Sequence, residues 1–170
     1  MTAYVALLRA VNVGGTGKLP MADLRSMCSD LGFAKVETYI ASGNVVFASR
    51  SPAAKVKADL EASLLDYAGK RVGVVVRTAA EMQTVLEAHP FRKAPAKYTY
   101  TIFLDEPPPR DALERATGLK DEEMRLGARE IYVYYASGMG RSKLRIPAAK
   151  SGTARNMHTV AKLAQMAAKL

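Results

Sequence analysis

Cysteine and histidine are nearly absent from this chain. One cysteine, Cys28, and two histidines, His89 and His158, occur among its 170 residues. A single cysteine excludes an intramolecular disulfide, and no Cys/His cluster has the ligand spacing of a zinc site. No G-x-S-x-G elbow is present, and two isolated histidines argue against a nucleophilic triad. We therefore expect no metal site and no cofactor, and the sequence offers no catalytic residue.

Long apolar runs are also missing, although 49% of the residues are hydrophobic and 24% are charged. A membrane-spanning helix requires roughly 20 consecutive apolar residues. The N-terminus lacks the basic and apolar layout of a secretory signal. These absences predict a globular cytoplasmic protein without a membrane partner, and they leave the oligomeric state open.

Acidic residues are missing from the last part of the chain. Residues 137–170 contain seven Lys or Arg and no Asp or Glu, and the net charge of the whole chain is +9. Such a stretch attracts polyanions or phosphorylated ligands, and it also serves solubility. A small anionic molecule or a nucleic acid is therefore a possible partner.

The clearest positive feature is an apolar run that leads into a glycine-rich loop. Residues 5–8 read as a buried strand. Asn12 stands where a Walker loop needs its first glycine, and Pro20 stands where a dinucleotide loop needs its third. The glycines therefore favour a tight connection, around which Arg9, Asn12 and Lys18 could donate to an anion.

The first half of the chain predicts an α+β fold with the order β-α-β-β-α-β. That order is typical of the split βαβ, or ferredoxin-like, arrangement, with the first strand central in the sheet. After the first strand, the predicted elements are a helix over 20–31, strands over 35–40 and 45–48, a helix from 52 to about 67, and a strand over 71–77.

The second half predicts a smaller α+β part with the order β-α-β-β and a C-terminal helix. A capping box at Thr78 and Glu81 begins a helix that ends before His89, and residues 89–97 read as a linker. We therefore expect domains at 1–90 and 91–170. The later elements are a strand over 98–104, a helix over 111–117, strands over 124–126 and 131–135, a short helix over 142–149, and a last helix with Thr153 as its N-cap.

Three segments carry a resemblance to a known family. They are residues 7–15, 38–47 and 153–163. They resemble the family called domain of unknown function 1697, whose segments read approximately L-L-R-G-I-N-V-G-G, Y-I-Q-S-G-N-V-V-F and T-T-R-N-W-N-T-V-x-K-L. This chain departs from that pattern at Ala10, Ala154, Met157 and His158. The resemblance implies a bacterial-type cytosolic α+β protein with a ferredoxin-like part, and it brings no established activity.

The candidate ligand-binding residues are polar or glycine positions of these segments and of the first loop. They are Arg9, Asn12, Gly14, Gly15, Lys18, Ser42, Asn44, Thr153, Arg155 and Asn156.

Three functions remain open from the sequence. The first is a binding module for a phosphorylated metabolite or a nucleic acid, in which a helix opened by residues 153–156 faces the loop at residues 12–15 and offers backbone N–H groups. The second is a metal-independent enzyme that acts on a small substrate through Arg9, Asn12, Ser42 or Asn44. The third is a structural or partner-binding protein whose motifs hold loops together.

Overall fold

Two four-stranded antiparallel sheets form the frame of the protein. The computed structural model describes residues 1–12 and 18–170. These residues divide into two units, one made of residues 1–83 with 163–170 and one made of residues 84–162. The predicted two-part α+β class is confirmed, and a domain boundary at residue 90 stays a prediction.

The first sheet has the strand order β2-β3-β1-β4, and each pair of neighbouring strands is antiparallel. The first strand is therefore central, as its apolar run predicts. The elements of this part are β1 (Thr2–Leu8), α1 (Met21–Asp30), β2 (Ala34–Thr38), β3 (Asn44–Ser49), α2 (Ala53–Ala68), β4 (Val74–Thr78) and α3 (Ala79–Ala88).

Burial explains why this sheet forms. Residues 4–8 of β1 are buried, and the core cluster of the sheet includes Leu24 and Cys28 of α1 and Leu60 of α2. Apolar side chains at helical spacing on α1 and α2 thus meet one face of the sheet. Burial also raises the pKa of the Cys28 thiol to about 12, so the cysteine packs as a small apolar residue.

The second sheet repeats the same order as β6-β7-β5-β8, again with antiparallel neighbours. Its strands are β5 (Thr99–Phe103), β6 (Glu123–Leu126), β7 (Glu130–Tyr134) and β8 (Thr153–Asn156), and helix α4 (Met157–Ala168) follows β8. Short 3₁₀ turns lie at Ala96–Tyr98, Met139–Arg141 and Pro147–Ala149. No helix in the described part of the chain is long and apolar enough to cross a membrane.

The helix predicted at 111–117 is wrong. The chain makes turn hydrogen bonds there, such as the one from Ala112 N to Pro109 O at 3.0 Å. Thr117 then pairs with Arg145 through two backbone hydrogen bonds of 2.9 and 2.8 Å. A segment of seven residues between a proline run and Gly118 is too short to offset the cost of helix nucleation, so the bridge to Arg145 prevails.

Two further predictions in the second half are wrong. The short helix over 142–149 is replaced by the 3₁₀ turns at Met139–Arg141 and Pro147–Ala149. Thr153 does not cap the last helix, because Thr153–Asn156 is strand β8, paired with β5. The cap is Asn156, whose Oδ1 accepts a hydrogen bond from Thr159 N at 3.0 Å.

Candidate functional site

The second family segment closes the turn that leads into β3. Asn44 is fully buried, and its Nδ2 donates to Tyr39 O and to Ser42 Oγ, each at 2.8 Å. The backbone N of Tyr39 donates to Asn44 O at 3.0 Å. Ser42 itself is exposed at the turn. The Nδ2 group of Asn44 therefore donates to the backbone of the turn and to the Ser42 hydroxyl.

Gly43 seats this turn against the end of β1. Its φ is +89°, and a Cβ at this position would lie 2.6 Å from Val11 Cγ2 and 2.8 Å from Leu8 Cβ. The carbonyl of Gly43 also accepts a hydrogen bond from Leu8 N at 2.8 Å. Only glycine combines this φ with so close an approach.

Asn12 joins the first family segment to the second. Its Nδ2 donates to Leu19 O at 2.9 Å and to Ala41 O at 2.7 Å, and its Oδ1 accepts from Leu19 N at 2.6 Å. The φ of Asn12 is +55°, a region that asparagine tolerates better than most residues. Both amide hydrogens and the oxygen of Asn12 are thus used within the chain, and the first two segments converge in space.

Lys18 lines a pocket near the C-terminal end of β1. The pocket has a volume of about 260 Å³ and an apolar floor that includes Val11, Leu19, Leu64 and Val72. Lys70, which follows α2, is the second lysine that lines it. Both lysines are exposed.

Tyr67 also lines this pocket, near the end of α2. Its hydroxyl donates to Asp23 Oδ2 at 2.7 Å. This hydrogen bond, more than any other influence, raises the pKa of Tyr67. The tyrosine therefore stays protonated and keeps the Asp23 carboxylate engaged.

Arg9 lines a second pocket, of about 430 Å³, together with Glu61, Arg71 and Gly73. Its backbone N donates to Gly73 O at 2.9 Å, which fixes the end of β1 beside the start of β4. Both pockets share Val72. The described residues around the end of β1 thus bring Arg9 and Lys18 to neighbouring concave surfaces of the first unit.

The third family segment lies in the second unit up to residue 162. Thr153 and Arg155 are each 7% exposed, and Arg155 Nη1 donates to Thr153 Oγ1 at 2.6 Å and to Ala154 O at 2.9 Å. Desolvation lowers the pKa of Arg155 to about 10, so the guanidinium remains charged near neutral pH. Met157 is buried, and its sulfur accepts a hydrogen bond from Thr101 Oγ1 at 3.1 Å. Met157 therefore packs within the unit.

The predicted site residues thus fall into two described groups. Arg9, Asn12, Lys18, Ser42 and Asn44 lie in the first unit, whereas Thr153, Arg155 and Asn156 lie in the second. Gly14 and Gly15 lie outside the described residues.

One feature of the predicted anion site is wrong. Thr153–Asn156 is a strand, so the stretch does not open a helix whose first N–H groups could meet an anion.

Lys70 and Tyr67 are not among the predicted site residues. A signal for Lys70 is present, because a Lys-Arg pair directly follows Gly69, the left-handed C-cap of α2. Tyr67 has no such signal, since its helical spacing predicts a core residue, whereas the structure leaves it exposed. Within residues 1–12 and 18–170, no group of three His, Cys, Asp or Glu side chains could hold a metal ion.

Comparison with known proteins identifies relatives but no activity. The family model described as "Protein of unknown function (DUF1697)" matches residues 1–132. The solved structure of the conserved bacterial protein SP0830 from Streptococcus pneumoniae is 30% identical and covers 98% of each chain, with a TM-score of 0.81. The search of curated proteins gives no match. The chain therefore belongs to the DUF1697 family of proteins of unknown function.

Proposed function

We propose that this protein binds a small phosphorylated or carboxylated metabolite in the pocket lined by Lys18 and Lys70. The observation that carries the proposal is two exposed lysines around an apolar floor that includes Leu64 and Val72. Ligand pockets commonly combine an apolar lining with a few polar groups that fix orientation. Such a pocket suits a ligand with an apolar body and one anionic group.

The charges around the pocket favour an anion. Arg9 and Arg71 line the adjoining pocket. Glu61, the acid in that lining, accepts from Lys57 Nζ at 3.0 Å and from Val74 N at 3.1 Å. Within the two described linings, four cations thus accompany one carboxylate that is already paired, and this excess of positive charge would steer an anion toward the pocket.

The size of the pocket favours a small molecule over a polymer. A volume of about 260 Å³ lies just below the roughly 300–1,000 Å³ of most ligand pockets. A lysine ammonium acts as a flexible point charge, which suits a phosphate or carboxylate group. We therefore place a phosphorylated metabolite ahead of a nucleic acid at this position.

Thermal shift of the purified protein tests the proposal. Phenyl phosphate, which joins an apolar ring to a phosphate, is the first probe, followed by a panel of phosphorylated metabolites at low and moderate salt. Ligand binding to the native state raises Tm by mass action. We expect Lys18→Gln and Lys70→Gln each to weaken binding roughly fivefold, since an exposed charge pair contributes up to about 1 kcal/mol.

Lys169→Gln is the matched control, because Lys169 is exposed and lies outside the pocket lining. It should bind the probe as the unmodified protein does. If all three variants lose affinity equally, only net charge matters and the pocket is not the site. A flat response across the whole panel would reject small-anion binding.

We also propose that the first unit is ferredoxin-like. Its element order from β1 to β4 and its strand order β2-β3-β1-β4 support this assignment. An experimental structure that gave another strand order or a left-handed crossover would reject it.

A further inference from the structure

We propose a second binding site, for single-stranded nucleic acid, in a groove of the second unit. The groove has a volume of about 590 Å³, and its lining includes Phe91, Arg92, Lys93, Glu123 and Tyr134. Aromatic rings and basic side chains thus line the same groove. Proteins that bind single-stranded nucleic acid without sequence preference use these two kinds of group.

The aromatic platform consists of Phe91 and Tyr134. Their ring centroids lie 6.1 Å apart at an interplanar angle of 41°. Both residues are half-buried and line the groove, so each presents part of its ring to a ligand. The rings are too close together to hold a base between them, and a base would stack on the surface that they form.

Contacts to Phe91 hold that residue of the platform in place before any ligand binds. His89 is 9% exposed, and its ring meets that of Phe91 at 68°, with centroids 6.1 Å apart. His89 Nδ1 accepts from Phe91 N at 3.4 Å, and Ala94 N donates to Phe91 O at 3.1 Å. A platform that is already ordered loses little entropy on binding.

The charges on the groove complement a phosphate backbone. Arg92 and Lys93 are exposed and line it, whereas Glu123 on β6 is the acid in its described lining. Residues 89–97 contain three basic residues and no acid. The third, Lys97, has its Nζ 5.0 Å from the centroid of the Tyr98 ring. Of the three, Arg92 and Lys93 are therefore the cations that lie beside the two rings.

A single strand fits these features better than a duplex or an acidic peptide. Bases in a duplex are stacked on one another, whereas a single strand exposes its bases to aromatic side chains. An acidic peptide would match the cations but would leave the aromatic platform without a partner.

The test is the fluorescence anisotropy of a labelled RNA of about ten nucleotides, a length within the range of single-strand sites. We expect Phe91→Leu to weaken binding roughly tenfold while leaving the salt dependence unchanged, because leucine keeps apolar bulk and removes the stacking surface. Phe91→Tyr keeps the ring and should restore binding. Lys93→Gln should reduce the slope of log K against log salt by about 0.7. Lys169→Gln is the charge control, and the Tm of each variant checks its folding.

Several results would overturn the proposal. It fails if Phe91→Leu binds like the unmodified protein, if Phe91→Tyr does not restore binding, or if the matched duplex or polyglutamate competes as well as the single strand. Lys18→Gln should leave RNA binding unchanged. The two sites can therefore fail independently.

Discussion

The two sheets share one strand order but differ in what connects their strands. In the first, β1 and β2 are joined through α1, and β3 and β4 through α2. In the second, turns around residues 109–116 take the place of α1, and 3₁₀ turns take the place of α2. The two sheets thus share a strand order, although helices make these two connections in the first sheet and turns make them in the second.

The last strand of each sheet makes the likeness more specific. Arg77 of β4 lies opposite Val5, and Arg155 of β8 lies opposite Thr101. Both arginines are buried, and each precedes the residue that caps the following helix. Thr78 and Glu81 form the capping box of α3, whereas Asn156 caps α4. In both sheets, therefore, a buried arginine on the last strand is followed by the residue that caps the next helix.

The comparison teaches that four of the family-segment residues serve strand and helix junctions. Asn12, Gly43 and Asn44 close the turns at the end of β1, and Asn156 starts α4. In contrast, Lys18 and Lys70 line a pocket. Variants at the two kinds of position should therefore separate stability from binding.

The largest expected effect is that of Gly43→Ala. The alanine must adopt φ near +89° and place its Cβ 2.6 Å from Val11 Cγ2. Strain of about 1–2 kcal/mol and overpacking of about 1–3 kcal/mol together predict a loss of about 3 kcal/mol in the free energy of unfolding. Urea denaturation measures this loss.

Gly69→Ala is the control for strain alone, since Gly69 has φ of +70° and open space around it. It should cost about 1 kcal/mol. Equal losses for the two variants would show that the close approach at Gly43 contributes nothing.

Asn44→Ala and Asn156→Ala compare the junctions of the two units. Asn44→Ala leaves Tyr39 O without its amide donor and empties a fully buried position, so we expect a loss of about 2–3 kcal/mol. Asn156→Ala removes one helix cap, at a cost of about 1 kcal/mol. Urea unfolding of both variants would sharpen the comparison, and a reversed order would break it.

Ala10→Gly is expected to give the smallest effect, a stabilisation. Ala10 is exposed and has φ of +54°, and the family pattern has glycine at this position. Glycine should relieve about 1–2 kcal/mol of backbone strain in the folded state, but it should cost about 0.4–1 kcal/mol because the unfolded chain gains conformational freedom. We therefore expect the free energy of unfolding to rise by about 0.5–1 kcal/mol. A lower Tm in the glycine variant would contradict this account of the end of β1.

Much of the first unit could be predicted because its elements have clear periodicity. The apolar run of residues 5–8 and the helical spacing of Leu24 and Cys28 need no knowledge of their partners. Strand β8 could not be predicted, because Thr153 and Asn156 are good local caps and only pairing with β5 selects the strand. Tertiary pairing here overrides local preference.

The candidate site was only partly predictable for a similar reason. Arg9 and Lys18 line pockets, and that they bind a ligand there stays a prediction. The partners of Asn12, namely Leu19 and Ala41, depend on the close approach of two turns. The sequence does not encode that approach in any local pattern, and so a structural amide could not be distinguished from a ligand-binding one.

The most direct test of the proposed function is a ¹⁵N NMR titration of the whole protein with phenyl phosphate. The account predicts saturable shifts at the backbone amides of Lys18, Leu19, Lys70 and Val72, which line the pocket. Those shifts should weaken in Lys18→Gln and persist in Lys169→Gln. Shifts confined to other surfaces, or equal in both variants, would contradict the claim that this pocket binds a small anion.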